Sequence, residues 1–218
     1  MGNRKGADGM NWMDMTQREF QAALASSSPT PGGGTASAIA LGQAASLACM
    51  VADLTLGSEK WSAGWPAAEH VQEIAIPMMT RSGILAEEDS DAFDEVMAAF
   101  KMPKSSDSEK THRRTAIKSG TLQAAKVPFE TAEVALALLK ALTELAVHGN
   151  ANAVTDVGVA GLLASAAAKG ALFNVEINLQ SLPDDMGVAL REMMPGMLQQ
   201  AKLDSRSVME AVRTRMSN

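Results

Sequence analysis

The chain has 218 residues and a formal net charge of −6, and it contains 17 glycines, 15 methionines and no tyrosine. Its length suits one domain with a substantial core, and the scarcity of aromatic residues argues against a β-sandwich. The negative charge argues against nucleic acid as the principal partner. Because Cys49 is the single cysteine, an intrachain disulfide is excluded and a cytoplasmic location is expected.

Residues 1–14 are polar and glycine-rich and lack the apolar core of a signal peptide, so they are predicted to form a disordered leader. The folded domain is expected to span residues 15–216. It starts with a short amphipathic helix that runs from Asp14 or Thr16 to about Ala25, where a run of three serines ends it.

The next stretch, SPTPGGGTASAIALGQAASLACMVADLT at residues 28–55, joins a proline- and glycine-rich turn to a long apolar segment. Pro31 stiffens the approach, and Gly32–Gly34 allow the backbone to come close to a partner. Thr35 or Ser37 is expected to cap the helix that follows. Such a turn presents backbone N–H groups at a helix N-terminus, where negative charge is favoured, although a purely structural turn fits the pattern as well.

Residues 34–56 are long enough to be considered as a membrane span. Gln43 interrupts the segment, Asp53 lies near its end, and alanine predominates over leucine and isoleucine. These features favour a buried helix that packs closely, through its small side chains, against another helix or a second subunit. No membrane association is expected.

The rest of the chain is helical in pattern. Its expected helices are residues 67–100, broken or kinked at Pro77; a helix capped by Ser106 or Ser108 that reaches Ala125; residues 129–148, with Pro128 in the first turn; residues 157–172, continued through 174–179; and two final helices, 184–202 and 204–215. We therefore predict an all-α, single-domain bundle of about eight or nine helices, with close-packed Ala- and Gly-rich central helices.

Familiar catalytic signatures are absent: the sequence has no phosphate-loop lysine, no GxSxG, no HExxH and no CxxC. Four polar segments stand out instead. They are the glycine turn, the Asp89–Asp91 region, residues 101–104, and the Asn150–Asp156 turn. A buried Asp91 would have a raised pKa and could act as a general base. The asparagines fit helix capping equally well, and the lysines could bind an anionic group or simply favour the helix dipole.

These segments, in this order, resemble the cyclodeaminase/cyclohydrolase family, which includes the cyclodeaminase domain of formiminotransferase-cyclodeaminase and free-standing methenyltetrahydrofolate cyclohydrolases. The similarity extends over roughly residues 15–215. Its motifs are SPTPGGGTASA at 28–38, MVADLTLG at 50–57, DSDAFDEVMAAFKMPK at 89–104, EKTHRR at 109–114, GNANAVTDVGVA at 149–160 and NVEINL at 174–179.

The resemblance implies an all-helical homodimer that acts on one-carbon units of tetrahydrofolate, in mono- or polyglutamylated form, without a metal or redox cofactor. One family reaction hydrolyses 5,10-methenyltetrahydrofolate to 10-formyltetrahydrofolate. The other closes 5-formiminotetrahydrofolate to the methenyl compound and releases ammonia. Both pass through a tetrahedral carbon between N5 and N10, and no residue in the sequence separates the two. A non-catalytic folate-binding or structural dimer of the same fold is the alternative.

The resemblance also implies the site residues. Asp91 is the first choice for the acid/base or orienting carboxylate, and Asp156 is the second. The implied substrate-binding residues are Pro31, Gly32, Gly33, Gly34, Lys60, Lys101, Lys104, Asn150 and Asn152, with the lysines facing the glutamate carboxylates. The chain departs from the family at residues 58–61, SEKW, where a more basic run is expected.

Overall fold

A computed structural model describes residues 11–217, and this part of the chain contains six α-helices and no strand. The helices are α1 Gln17–Leu24, α2 Gly33–Leu56, α3 Trp65–Phe100, α4 Asp107–His148, α5 Val154–Gln180 and α6 Val188–Ser217. Short 3-10 helices, Glu59–Gly64 and Ala151–Ala153, precede α3 and α5. The all-α prediction is confirmed. The long helices are joined by short connections and pack side by side.

The predicted number of eight or nine helices is wrong because three expected breaks are absent. Pro77 lies inside α3 and Pro128 inside α4, and α6 continues through residue 203, where a break was expected between residues 202 and 204. A proline removes one backbone hydrogen bond, but tertiary packing on both sides of it can hold a helix together. Around Pro77, for example, Ala75 and Met78 are both buried. Three pairs of expected helices are therefore three continuous ones.

Capping residues set the starts of two helices as the sequence indicates. Thr16 and Glu19 form a capping box at α1, and Ser106 and Glu109 form another at α4. Each box satisfies backbone N–H groups that have no partner inside the helix. Of the two caps predicted for α4, Ser106 and Ser108, the structure has Ser106.

Helices α2 and α5 form the centre of the bundle and run antiparallel. Gly33 lies beside Asn174, Ser37 beside Gly170, and Thr55 beside Asn150. A Cβ added to Gly170 would lie only 2.5 Å from the Ser37 hydroxyl oxygen, so the two helices approach closely there. Small side chains are buried along both helices: Ala38, Ala44, Ala45, Ala48, Ala160, Ala164, Ala167 and Ala168.

Residues 11–14 do not belong to a disordered leader, although residues 1–10 of that prediction lie outside the described residues. Trp12 is only 6% exposed and packs edge-on against Phe20. Its indole N–H donates to the Ser90 hydroxyl at 3.0 Å, and its backbone N–H donates to Glu87. Burial of an indole with its N–H satisfied holds this segment against α3.

By length and composition alone, two helices could cross a membrane: Gly33–Leu56 and Ala151–Gln180, the second counted with its 3-10 turn. Within the bundle, 44% and 56% of their most apolar windows are buried. Each helix therefore contributes one face to the core and leaves apolar side chains on its other face.

Candidate active site

The glycine turn leads directly into α2. The Thr30–Pro31 peptide bond is cis, Pro31 is buried, and Gly32 is the N-cap residue in an extended conformation. Thr35 or Ser37 was expected to cap α2, but neither of them occupies the N-cap position. The Thr35 hydroxyl lies in the first turn of the helix and accepts from the Gly32 N–H at 3.4 Å.

Asp89 of α3 packs directly on this turn. A Cβ added to Gly34 would lie 2.2 Å from one carboxylate oxygen of Asp89 and 2.6 Å from the other. No residue other than glycine can stand at position 34 without moving that carboxylate. The turn is therefore a close-approach surface, as predicted, but the group it admits is a carboxylate of the protein itself.

A chain of side-chain hydrogen bonds fixes the Asp89 carboxylate. The Thr35 hydroxyl donates to Asp89 Oδ2 at 3.1 Å and lies 3.0 Å from the Ser90 hydroxyl, which in turn accepts from the Trp12 indole. Because an indole only donates, the Ser90 proton is left to bond Thr35, and the Thr35 proton is left to bond Asp89. Donors aligned in this way polarise one another toward the carboxylate.

Two opposing effects act on the pKa of Asp89. Burial raises the pKa above its ordinary value, and the hydrogen bonds from the hydroxyl and backbone N–H of Thr35 offset part of that rise. Desolvation penalises the charged form, so the carboxylate is a stronger proton acceptor than an exposed aspartate. A raised pKa in a fixed geometry is the property of a general base.

Helix α5 brings two asparagines to the same region. The Asn174 side-chain nitrogen donates to Gly170 O, and that of Asn178 donates to Ala124 O of α4 and to Asn174 O. In the described part of the chain, neither amide oxygen Oδ1 has a hydrogen-bond partner, so each can accept from a ligand. Asp89, Asn174 and Asn178 were missed as site residues, although both asparagines belong to the NVEINL motif.

Asp91, the first choice for the catalytic carboxylate, lies elsewhere. It is exposed, and it stands two residues after Asp89, which is about 200° around the axis of α3. Its carboxylate therefore cannot reach the glycine turn that Asp89 occupies. The premise that Asp91 is a buried carboxylate is wrong, and within the same motif the geometry selects Asp89.

The Asn150 turn lies at the opposite end of α2 from the glycine turn, roughly 30 Å away along the helix axis. Asn150 donates to Thr55 Oγ1 and Leu54 O and accepts from the Asn152 N–H, so it joins α5 to the end of α2. Asn152 is exposed and Asp156 half-buried in the first turn of α5. Within one chain, these residues do not share a site with Gly32–Gly34.

The three candidate lysines also lie at different ends of the molecule. Lys60 is exposed near the Asn150 end of the molecule, with its Nζ 4.6 Å from the centre of the Trp61 ring. Lys101 is exposed at the end of α3, and Lys104 follows it and lines a basic cavity beside α4. The structure therefore groups Lys104, but not Lys60, with the end of the bundle that holds Asp89 and Asn178.

Comparison with known proteins reveals close relatives of two kinds. The chain is 35% identical over 206 residues to a methenyltetrahydrofolate cyclohydrolase of Methylorubrum extorquens, which covers 93% of this chain and 98% of that protein. It is 31% identical to the formimidoyltransferase-cyclodeaminase of Rattus norvegicus, but covers only 38% of that longer protein.

A solved structure shows the same fold. The formiminotetrahydrofolate cyclodeaminase of Thermotoga maritima superimposes with a TM-score of 0.77 at 27% identity, over 94% of this chain and 97% of that one. Residues 16–194 match the family model of formiminotransferase-cyclodeaminase. The all-helical bundle, its motifs and these matches agree, and the chain belongs to the formiminotransferase-cyclodeaminase family.

Proposed function

We propose that this protein is an enzyme of folate one-carbon metabolism that acts at the N5/N10 bridge of tetrahydrofolate, and that it is a methenyltetrahydrofolate cyclohydrolase. The cyclohydrolase of Methylorubrum extorquens supports this choice, because it matches the present chain over nearly the full length of both proteins. The formimidoyltransferase-cyclodeaminases match over little more than a third of their length.

The observation that carries the proposal is the position of Asp89 against the start of α2. A carboxylate already occupies this helix N-terminus, so an additional anion would be repelled there. The methenyl bridge is an amidinium cation, and a buried carboxylate attracts it strongly. The glycine backbone permits a flat ring to approach, and the Oδ1 atoms of Asn174 and Asn178 can accept from its N–H groups.

Asp89 then acts as the proton carrier. Water adds through its oxygen to the methenyl carbon, and Asp89 takes one of its protons. The tetrahedral adduct breaks its bond to N5, which receives that proton from Asp89, while the hydroxyl proton leaves to solvent as the formyl carbonyl forms on N10. Because no electron is transferred, we propose that no redox cofactor takes part.

Cyclodeaminase activity is the second candidate. The Thermotoga maritima structure carries that name, and the present chain aligns with 97% of it. In that reaction N10 attacks the formimino carbon and ammonia leaves, so the same carboxylate would return a proton to the leaving nitrogen. Both reactions use a tetrahedral carbon at the same position.

The absorbance of the methenyl compound distinguishes these functions. We expect the purified protein to remove the absorbance of 5,10-methenyltetrahydrofolate at a rate well above the spontaneous rate. An increase of this absorbance with 5-formiminotetrahydrofolate would support the cyclodeaminase instead. If neither substrate reacts and both bind, the protein is a non-catalytic folate-binding member of the family, and the proposal is wrong.

We further propose that the active form is a homodimer assembled through the outer faces of α2 and α5. These neighbouring helices expose large apolar side chains: Met50, Leu54, Val159, Leu162, Phe173 and Ile177. The helices have 24 and 27 residues, which makes each about 35–40 Å long, enough for a standard two-fold interface.

A charge placed in this face tests the dimer. Leu162 is 56% exposed within one chain, so Leu162→Glu leaves the monomer core intact but buries a carboxylate in the proposed interface. We expect sedimentation to show a dimer for the wild type and a monomer for Leu162→Glu. Val188→Glu on α6, at a similarly exposed position, is the control and should remain dimeric. A monomeric wild type would exclude the dimer.

A further inference from the structure

Trp12 lies outside the part of the chain that the family model matches, which begins at residue 16. Two hydrogen bonds nevertheless tie it to α3 beside the candidate base. Its backbone N–H donates to the Glu87 carboxylate, and its indole N–H donates to the Ser90 hydroxyl at 3.0 Å. Glu87 and Ser90 lie on either side of Asp89 along the chain. The segment before α1 is therefore attached to the active site at both neighbours of its carboxylate.

Ser90 does not make the hydrogen bond that is usual for a serine inside a helix. Such a serine commonly donates to the carbonyl oxygen four residues earlier. Four other buried hydroxyls of this protein do so, at 2.8–3.2 Å: Ser37, Thr55, Thr121 and Thr131. Ser90 is only 1% exposed, and its partners among the described residues are Trp12 and Thr35. The indole N–H thus holds the Ser90 hydroxyl away from its own helix and toward α2.

This orientation sets the direction of the hydrogen bonds at Thr35. Since Ser90 accepts from the indole, its own buried proton gains a partner by donating to Thr35. Thr35 also accepts from the Gly32 N–H, and its proton is then directed to Asp89 Oδ2, which is 3.1 Å away. The side chains of Trp12, Ser90 and Thr35 are all buried. Because an indole cannot accept a proton, this chain donates to Asp89 and cannot carry a proton away from it.

No charged side chain in the described part of the protein contributes to the pKa shift of Asp89. Burial raises this pKa, and the two hydrogen bonds from Thr35 lower it. Around the cluster the ionisable groups are Asp14 before α1, Glu87 and Glu88 on α3, Lys126 on α4, and Lys169 and Glu176 on α5; residues 33–48 of α2 carry none. Thr35 is therefore the residue that stabilises the charged form of the carboxylate.

We propose that Trp12 is a positioning residue of the active site, whose indole N–H acts through Ser90 and Thr35 to keep one hydrogen bond directed at Asp89. This inference rests on the proposed function, in which Asp89 carries a proton from water to N5. The chain of donors ends at a group that cannot accept, so the proton taken by Asp89 is retained for the substrate. The active site then depends on a residue that precedes the matched domain.

Trp12→Phe tests the proposal because it keeps a buried aromatic ring and removes the N–H donor. Ser90 can then donate to Ala86 O, as other helical serines do, and the hydrogen bond from Thr35 to Asp89 weakens. The charged carboxylate loses stabilisation, so the acid limb of kcat/KM should shift to higher pH, by about 0.2–0.5 pH unit. Ser90→Ala should give the same shift. The double variant should give no more, because both changes interrupt one chain.

Variants of Thr35 calibrate this shift. Thr35→Val removes the hydroxyl that bonds Asp89 directly, and it should move the acid limb upward by about one pH unit. Thr35→Ser retains a hydroxyl at the same position, so its acid limb should return to that of the wild type. If the acid limb of Thr35→Val stays in place, the hydrogen bond to Asp89 has no influence on the proton carrier and the proposal is overturned.

Phe20→Leu is the control for packing. The Phe20 ring lies edge-on to Trp12, with the ring centres 6.4 Å apart, so this change weakens the same apolar cluster without removing a donor. Phe20→Leu and Trp12→Phe should both lower stability to urea, but only Trp12→Phe should move the acid limb. An equal shift in Phe20→Leu would assign the effect to packing and reject the proposal. So would an unshifted acid limb in both Trp12→Phe and Ser90→Ala.

A measurement without substrate separates this inference from the proposed reaction. The indole N–H resonance of Trp12 can be identified among those of the three tryptophans by its loss in Trp12→Phe. We expect its NMR chemical shift to titrate with Asp89 in the wild type, and to stop doing so in Asp89→Asn and in Ser90→Ala. If it titrates in this way but no folate turns over, the proposed function fails and the connection to Trp12 stands. If folate turns over and the resonance does not titrate with Asp89, only this inference fails.

Discussion

Asp89→Asn is expected to lower kcat for methenyltetrahydrofolate hydrolysis by about 10²–10⁴, the contribution typical of a general acid–base group. Asparagine preserves the size of the side chain and can still accept from the Thr35 hydroxyl, which lies 3.1 Å from Asp89 Oδ2. The variant loses only the charge and the ability to take a proton. Steady-state kinetics, with circular dichroism to check folding, provide the measurement.

Asp91→Asn is the matched control for this prediction. It makes the same chemical change two residues away on the same helix, at an exposed position. Its kcat should stay within about twofold of the wild type, as is usual for surface substitutions. If Asp91→Asn removed activity and Asp89→Asn did not, the catalytic role of Asp89 would be refuted.

The raised pKa of Asp89 adds a dependence on pH. A general base must be deprotonated, so kcat/KM should fall as the pH drops through the raised pKa. The free energy of unfolding depends on pH in the opposite direction. A carboxyl group whose pKa is higher in the folded state stabilises that state at a pH below the pKa of the unfolded chain. This stabilisation is lost as the pH rises through the pKa of the folded state. Asp89→Asn should therefore be more stable than the wild type to urea near pH 7, and equally stable in acid.

Gly34→Ala is expected to disable the site and to destabilise the fold. The new Cβ would lie 2.2 Å from one oxygen of the Asp89 carboxylate and 2.6 Å from its carbon, distances that force the carboxylate away from Thr35. Because overpacking of this kind typically costs about 1–3 kcal/mol, urea unfolding should show a loss in that range. The kcat should fall at least tenfold, since the proton acceptor is displaced.

Gly33→Ala is the matched control for Gly34→Ala. A Cβ at Gly33 would meet only the Asn174 side-chain nitrogen, at an ordinary 3.6 Å. Gly33→Ala should therefore fold normally and keep kcat within about twofold, although the added methyl can weaken substrate binding. Full activity in Gly34→Ala would show that Asp89 does not need its position against the turn.

The sequence predicts the helices well where a single local signal governs them. The capping box at Ser106 and the long apolar segment that ends at Gly57 are examples, because capping and apolar periodicity act within a few residues. It fails at Pro77 and Pro128, where tertiary packing holds a helix together across a residue that locally weakens it, and at residue 203, where α6 continues without the expected break.

The residues of the candidate site were likewise predicted only in part. The motif that holds the carboxylate was found, but Asp89 could not be told from Asp91, because which face of α3 meets α2 depends on how the helices pack. The Asn150 turn was grouped with the glycine turn, since both are polar interruptions of an apolar chain. In the structure the two turns lie at opposite ends of α2, which has 24 residues. Dimerisation, the absence of a cofactor and a cytoplasmic location stay predictions.

What the sequence by itself determined is the helical class, the small-residue core helices and the segments that carry polar chemistry, since these follow from composition and from patterns along the chain. What only the tertiary structure decided is which of those segments meet. Gly34 admits Asp89 because no Cβ stands between them, α5 brings Asn174 to the same turn, and Trp12 reaches Ser90 beside them. Such contacts join residues more than 50 positions apart, and no local pattern encodes them.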